Sequence, residues 1–180
     1  MIRNSRTNYG IVAQAFHWLT ALLILIMAIT GLVMEDMVLG PSKIAWYGFH
    51  KALGFSLLVL VICRLIWRFC NKAPALPDHL PAREKLLASS VHFSLYLLML
   101  AMPISGLLMS WASGFPVNIF GLFTLPNLIA ANPDLQKFFK AFHEITIFIL
   151  LALIALHIFG GLRHHLYYKD NVLKRMLKIA

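Results

Sequence analysis

The sequence predicts an all-α fold, a four-helix transmembrane bundle with both termini cytoplasmic. Three observations carry that expectation. Of the 180 residues only 13% are charged and 60% are hydrophobic, with a mean hydropathy of +0.77; a soluble domain carries roughly 25% charged residues. Four apolar runs are each long enough to cross the hydrocarbon, which takes roughly 20 residues. Lysine and arginine are divided unevenly between the two sides that these runs define.

The first run extends from about Ile11 to Met34 and the second from about Trp46 to Phe69. The third extends from about Leu86 to Trp111 and the fourth from about Phe138 to Leu162. Together they form a single transmembrane domain over 1–180. The basic start and apolar first run superficially resemble a signal peptide. That run is longer than a usual signal core and no small-x-small site follows it, so it reads as a retained helix. The first connection is short and holds Glu35, Asp36, Gly40 and Pro41. The second holds Pro74, Pro77 and Pro81 and reads as a solvated turn. The third, from about Ala112 to Lys137, carries Gly114, Pro116, Gly121, Pro126 and Pro133, which argue against a continuous helix. It is expected to lie on the membrane surface or to cap the bundle. Pro103 and Gly106 fall inside the third run, where a local kink is tolerated.

The net charge is +9 and the pI about 9.9. The basic residues cluster at the ends of apolar runs, which suits membrane lipid and topology control and excludes nucleic acid as the expected partner. Arg3, Arg6, Arg64, Arg68, Lys72, Arg83, Lys85, Arg163, Lys169, Lys174, Arg175 and Lys178 share one side. Lys43, Lys51, Lys137 and Lys140 share the other. The excess places the first side in the cytoplasm. Cys63 and Cys70 are the only cysteines and form no CxxC. They are expected to be reduced thiols packed as small hydrophobes. With no CxxCH, covalent haem attachment has no support.

Eight histidines are present, and depth separates them. His17 lies near the cytoplasmic end of the first run and His50 near the outer end of the second. His143 and His157 lie at the outer and cytoplasmic ends of the fourth. Fourteen residues separate His143 from His157. That is nearly four helical turns, so both rings face one way about 21 Å apart. Four imidazoles, two at each of two depths, suit two bis-histidine haems: His50 with His143 at the outer level and His17 with His157 at the inner. Haem iron accepts neutral imidazole, and two filled axial positions favour electron transfer over oxygen chemistry. Gly48, Gly54, Gly160 and Gly161 could admit the ring, and Phe16, Trp18, Phe49, Phe142 and Phe159 could pack on it. A single membrane histidine can equally bond to a neighbouring helix, although ionisable groups at that depth are costly.

The other histidines carry weaker expectations. His79 sits in the proline-rich turn and is expected to be solvated. His92 reads as a helix–helix contact or as a neighbour of quinone or of a haem propionate. His164 and His165 read as interfacial, with propionate contact or proton movement as alternatives. Arg64 and Arg68, one turn apart, anchor the interface with snorkelling stems or pair with a propionate. No catalytic base or nucleophile constellation is present, so whether the chain is an enzyme stays open. Among functions of other kinds, a histidine-based metal transporter would want carboxylates along a pathway, and only Glu144 approaches that.

The sequence resembles the bacterial cytochrome b561 family over nearly its whole length. The matching stretches are FHWLT at 16–20, FHKALGFSLLVLVICRLIWR at 49–68 and LYLLMLAMPISGLLMS at 95–110. FGLFTLP at 120–126, FHE at 142–144 and LHIFGGLRHHLYYKDNVLKRM at 156–176 complete them. The resemblance implies a four-helix bundle in the bacterial inner membrane with two non-covalent b haems, on His17 with His157 and His50 with His143. It also implies electron exchange with membrane quinone, ubiquinone as acceptor, and a periplasmic donor for which superoxide is one candidate. Lys43 and Lys51 near the outer level would attract a small anion. A cytochrome b subunit of a larger complex, such as a hydrogenase or formate dehydrogenase, is the alternative. A homodimer and a redox partner protein both remain open.

Overall fold

A computed structural model describes residues 1–177. Lys178, counted above among the basic residues, lies outside them. Four long helices dominate: α1 (Ile11–Asp36), α2 (Pro41–Cys70), α3 (Ala82–Ala112) and α4 (Pro133–Arg163). All four are long and apolar enough to span a membrane. Each extends a few residues beyond its apolar run because polar residues at the ends continue the backbone hydrogen bonding. Chain punctuation sets the boundaries. Pro41 and Pro133 stand in the first turns of α2 and α4, where the missing N–H costs nothing. Asn132 caps α4, its side chain accepting from the Asp134 and Leu135 amides at 3.0 Å each.

The chain ends and the α2–α3 turn share one end of the bundle, called here the terminus end. The short α1–α2 turn and the long α3–α4 connection share the other, the hairpin end. Pro103 lies within α3, which runs through it unbroken.

The connection from α3 to α4 caps the hairpin end, and it does so with a small antiparallel hairpin that the sequence did not lead us to expect. β1 (Val117–Ile119) pairs with β2 (Phe123–Leu125). Val117 and Ile119 alternate inward and bury against Ala52 of α2, with Phe55 and Leu107 packed around them. Gly121 takes φ +77° in the turn, and its amide donates to Asn118 Oδ1; a side chain there would be strained.

The mid-bundle core is aliphatic. Leu57 and Val61 of α2, Val91, Leu95 and Met99 of α3 and Leu150 of α4 interlock, with Leu23, Ile24 and Met27 of α1 against them. Outward faces carry Leu22, Leu25 and Ile29 on α1 and Phe93 and Leu97 on α3, the surface that lipid solvates. Cys63 and Cys70 are free but exposed on α2. They are not packed in the core as expected, because they project from the face of α2 opposite its contacts.

After α4 the chain makes a π-helical turn, His164–Tyr168, closed by Lys169 at φ 53°, then a short helix α5 (Lys174–Leu177). This tail straps the terminus end. The Gln14 side chain donates to the Arg175 carbonyl at 3.0 Å and the Trp18 indole to the Met176 carbonyl at 2.9 Å. Arg175 donates to the Ala75 carbonyl at 2.7 Å.

Candidate functional site

The helices pack as a row, α1 on α2, α2 on α3 and α3 on α4. Among the described residues α4 has only sparse backbone contact with α1 or α2. α4 therefore meets the first two helices through side chains, and Leu150 closes this seam, called here the slot, against Leu57 and Val61 at mid-height. His17 and His50 project from one wall of it and His143 and His157 from the other, all four half-buried.

At the hairpin-end level the ring tautomers are set by neighbours. His50 Nδ1 lies 3.0 Å from Thr30 Oγ1. The Thr30 hydroxyl donates to the Met27 carbonyl at 3.0 Å, so it accepts the Nδ1–H of His50. His143 Nδ1 lies 3.1 Å from the Met102 carbonyl and 3.0 Å from Ser105 Oγ. Ser105 itself donates to Met102 O at 2.7 Å, so His143 is the donor in both contacts. With each Nδ1 protonated, each Nε2 keeps its lone pair, the state a metal-ligating imidazole needs. His50 and His143 fall within electrostatic reach of one another. Two glycines make room for these rings. A Cβ on Gly106 would stand 3.2 Å from His143 Cε1, and one on Gly31 3.5 Å from His50 Cε1.

At the terminus-end level the His17 and His157 ring centres are 6.1 Å apart with planes at 55°. Two imidazoles sharing one ion, at about 2.0 Å per bond, place their centres roughly 6 Å apart. Trp18 meets His17 edge-on at 5.0 Å. His92 joins this level with its ring centre 5.2 Å from that of His157, so it is a ring contact across α3 and α4. Arg64 Nη2 stands 3.0 Å from His17 Nδ1; since guanidinium only donates, His17 Nδ1 accepts.

This donor set fits haem. Each level offers two imidazoles from opposite walls, and a macrocycle supplies the remaining iron ligands itself. The Cβ-free approaches at Gly31 and Gly106 and the sparse backbone contact of α4 with α1 and α2 agree with it. A bare ion fits less well: among the described residues no group of three or more His, Cys, Asp or Glu side chains converges, whereas such sites want three or four protein ligands.

Sequence reasoning nominated other glycines. Gly48 and Gly160 face open space, Gly54 meets Met27 Cε and Gly161 meets Leu173. Gly31 and Gly106 were missed in this role, although both share a depth with His50 and His143. Phe142 stacks on Phe138, Phe49 meets Trp46 and Phe120, and Phe159 is exposed. Phe16 lines a small cavity that Arg64 also lines.

His79 is exposed, as expected of the proline-rich turn, and it also has a partner. Its Nε2 stands 3.6 Å from Asp170 Oδ2, which also takes His164 Nδ1 at 2.7 Å. Burial alone would push the Asp170 carboxyl up; the Val172 amide and the His164 and His79 rings outweigh it and hold the group below the ordinary carboxylate value. Beside it Arg163 grips Glu84 with both terminal nitrogens, at 3.1 and 3.3 Å, and Tyr168 bonds the same carboxylate. His165 is exposed.

The family model described as prokaryotic cytochrome b561 matches residues 8–178. The chain is 35% identical to "Cytochrome b561 homolog 2" of Escherichia coli (strain K12), covering 97% of this chain and 93% of that one. It is 32% identical to "Cytochrome b561 homolog 1" of the same organism, over 89% of this chain and 92% of that one. It is 29% identical to "Probable superoxide oxidase CybB" of Yersinia pestis, over 94% of this chain and 96% of that one.

Proposed function

The chain belongs to the prokaryotic cytochrome b561 family, and on that premise we propose that it is a di-haem electron carrier passing electrons between a periplasmic donor and ubiquinone in the bacterial inner membrane. Membership of the family implies haem b and electron transfer in a membrane. The finer reading is supported chiefly by one observation: the His17 and His157 rings, one on α1 and the other on α4, stand 6.1 Å apart.

Haem b supplies reversible one-electron iron chemistry when bound. The chain's own residues do the rest. His50 with His143, and His17 with His157, would each hold one haem between two imidazoles, a ligation that favours electron transfer over oxygen chemistry. Thr30, Ser105 and the Met102 carbonyl hold the hairpin-end imidazoles in the ligating tautomer. The aliphatic layer around Leu57, Val61 and Leu150 separates the levels and excludes water between them. Quinone, soluble in the same lipid, would exchange electrons at the bundle surface.

The basic terminus end would face the cytoplasm, which puts the hairpin end in the periplasm. Superoxide is the candidate donor there, from the likeness to the Yersinia pestis protein. Lys51 is half-buried one residue from His50, and its charge would draw a small anion. Lys43 contributes less, since its ammonium donates to the Glu35 and Met37 carbonyls at 3.2 and 2.8 Å.

Pyridine haemochrome assay of the purified chain should give two b haems per polypeptide. A folded but colourless protein from haem-replete cells would refute haem binding. Anaerobic stopped-flow with superoxide and a water-soluble ubiquinone should reduce the haems and then reoxidise them; haems that superoxide leaves oxidised would exclude that donor alone.

A further inference from the structure

At the terminus end, between α1, α2 and α3, lies a cavity of about 40 Å³, roughly the room for a small polar head group. Its lining includes Tyr9, Arg64, Trp67, Arg68 and Tyr96, and no carboxylate. Both guanidinium groups rest on the Tyr96 ring, at 5.3 Å for Arg64 and 5.4 Å for Arg68. The Trp67 indole N–H is fully buried and has no hydrogen-bond partner among the described residues, a state that normally costs free energy. Burial pushes the Tyr9 phenol up, with Arg68 opposing, so Tyr9 keeps its proton. Burial closes the Trp67 N–H off from the cavity, whereas two cations held on the Tyr96 ring, with no anion among them, are complementary to a carboxylate.

We propose that this cavity is the seat of a haem carboxylate, a propionate of the group held between His17 and His157, taken by Arg64 and Arg68. The proposal rests on the haem reading of those two histidines. Arg64 links the two places, since it lines the cavity and also donates to His17 Nδ1. That second bond leaves the His17 proton on Nε2, the nitrogen that would ligate. The hairpin-end pair shows the opposite tautomer, set by Thr30, Ser105 and Met102. A carboxylate in the cavity gives the guanidinium a charged, bidentate partner and releases Nδ1, so the inner site would complete itself as its ligand seats. Arg64 is thus a positioning residue for His17 as well as an anion ligand.

The test uses the full chain from haem-deficient cells, in the His50→Ala background so that only the His17–His157 level loads. It is titrated with protohaem and with its dimethyl ester, which lacks the carboxylate charge. With Arg64 present, the ester should bind about tenfold or more weakly, the scale of a charge-assisted hydrogen bond. Arg64→Gln should bring the two affinities together, and Arg64→Lys should restore part of the ratio. Equal affinities in the parent chain, or a ratio unmoved by Arg64→Gln, would overturn the proposal. Repeating the titration in nanodiscs of phosphatidylcholine with and without phosphatidylglycerol separates a lipid phosphate from the haem carboxylate. Affinity that follows anionic lipid and ignores esterification would overturn the assignment. One haem lost in His157→Ala with no ester discrimination condemns the cavity assignment alone; two haems kept in His157→Ala removes the reading beneath it.

Discussion

The His17 and His157 rings stand 6.1 Å apart across a slot where their helices barely touch. On the proposed reading a haem lies between these two rings. If so, the four histidines form two pairs and not a series. His17→Ala and His157→Ala should each remove the same haem, and His50→Ala and His143→Ala the other. Low-temperature difference spectra with redox titration identify which is lost. Loss of different haems within a pair would break the pairing.

The hairpin-end level permits a finer comparison. His50 has Thr30 as its Nδ1 acceptor, whereas His143 has both Ser105 and the Met102 carbonyl. Thr30→Val keeps the shape and removes the acceptor from His50. It should weaken haem binding at that level about 10–100-fold, the usual cost of losing a partner behind a metal-bound histidine. Ser105→Ala should cost less, because the carbonyl remains. Haem titration of the two variants gives the order, and a reversed order would mean that Ser105 is the acceptor that matters.

Close approach makes Gly106 a sensitive position. Its Cβ would sit 3.2 Å from His143 Cε1, tighter than ordinary van der Waals contact. Gly106→Val should displace the ring and lower haem content at the His50–His143 level. Gly160→Val, on an open surface, should leave both haems in place although valine is equally branched. Pyridine haemochrome stoichiometry of the two variants tests the contrast, and equal loss in both would point to helix propensity instead of the ring.

The four spans were legible because each is an apolar run long enough to cross the hydrocarbon, and the shared face of His143 and His157 because it follows from helical periodicity. Fourteen residues on α4 dictate a shared face for His143 and His157 before any neighbour is known. Gly31 and Gly106 were not legible as ring neighbours, since their role depends on the packing of α1 on α2 and of α3 on α4. The hairpin of β1 and β2 escaped because strands of three residues carry too short an alternation to read. The tail strap escaped for a third reason: Gln14 and Arg175 are 161 positions apart, and Arg175 and Ala75 are 100 apart. The resemblance marked residues 156–176 as distinctive without saying what they touch.

That tail carries the last prediction. Asp170 gathers the Val172 amide, His164 Nδ1 and, at 3.6 Å, His79 of the α2–α3 turn. Its carboxyl lies below the ordinary value because the folded state favours the charged form. A depressed folded value means that the carboxylate's contribution is fully present above the unfolded value, about 3.9, and is lost as pH falls through the folded one. Docking of the tail on His79 should therefore gain nothing from Asp170 by raising pH from 5 to 7, and should weaken below about pH 4. Hydrogen–deuterium exchange of residues 164–177, corrected for intrinsic rates, should show protection falling through that acidic range. Asp170→Asn should show the reduced protection already at neutral pH, with α4 upstream of the turn unchanged. A tail equally protected in Asp170→Asn would mean that the Glu84–Arg163–Tyr168 contacts and the Gln14 and Trp18 bonds hold it without the carboxylate.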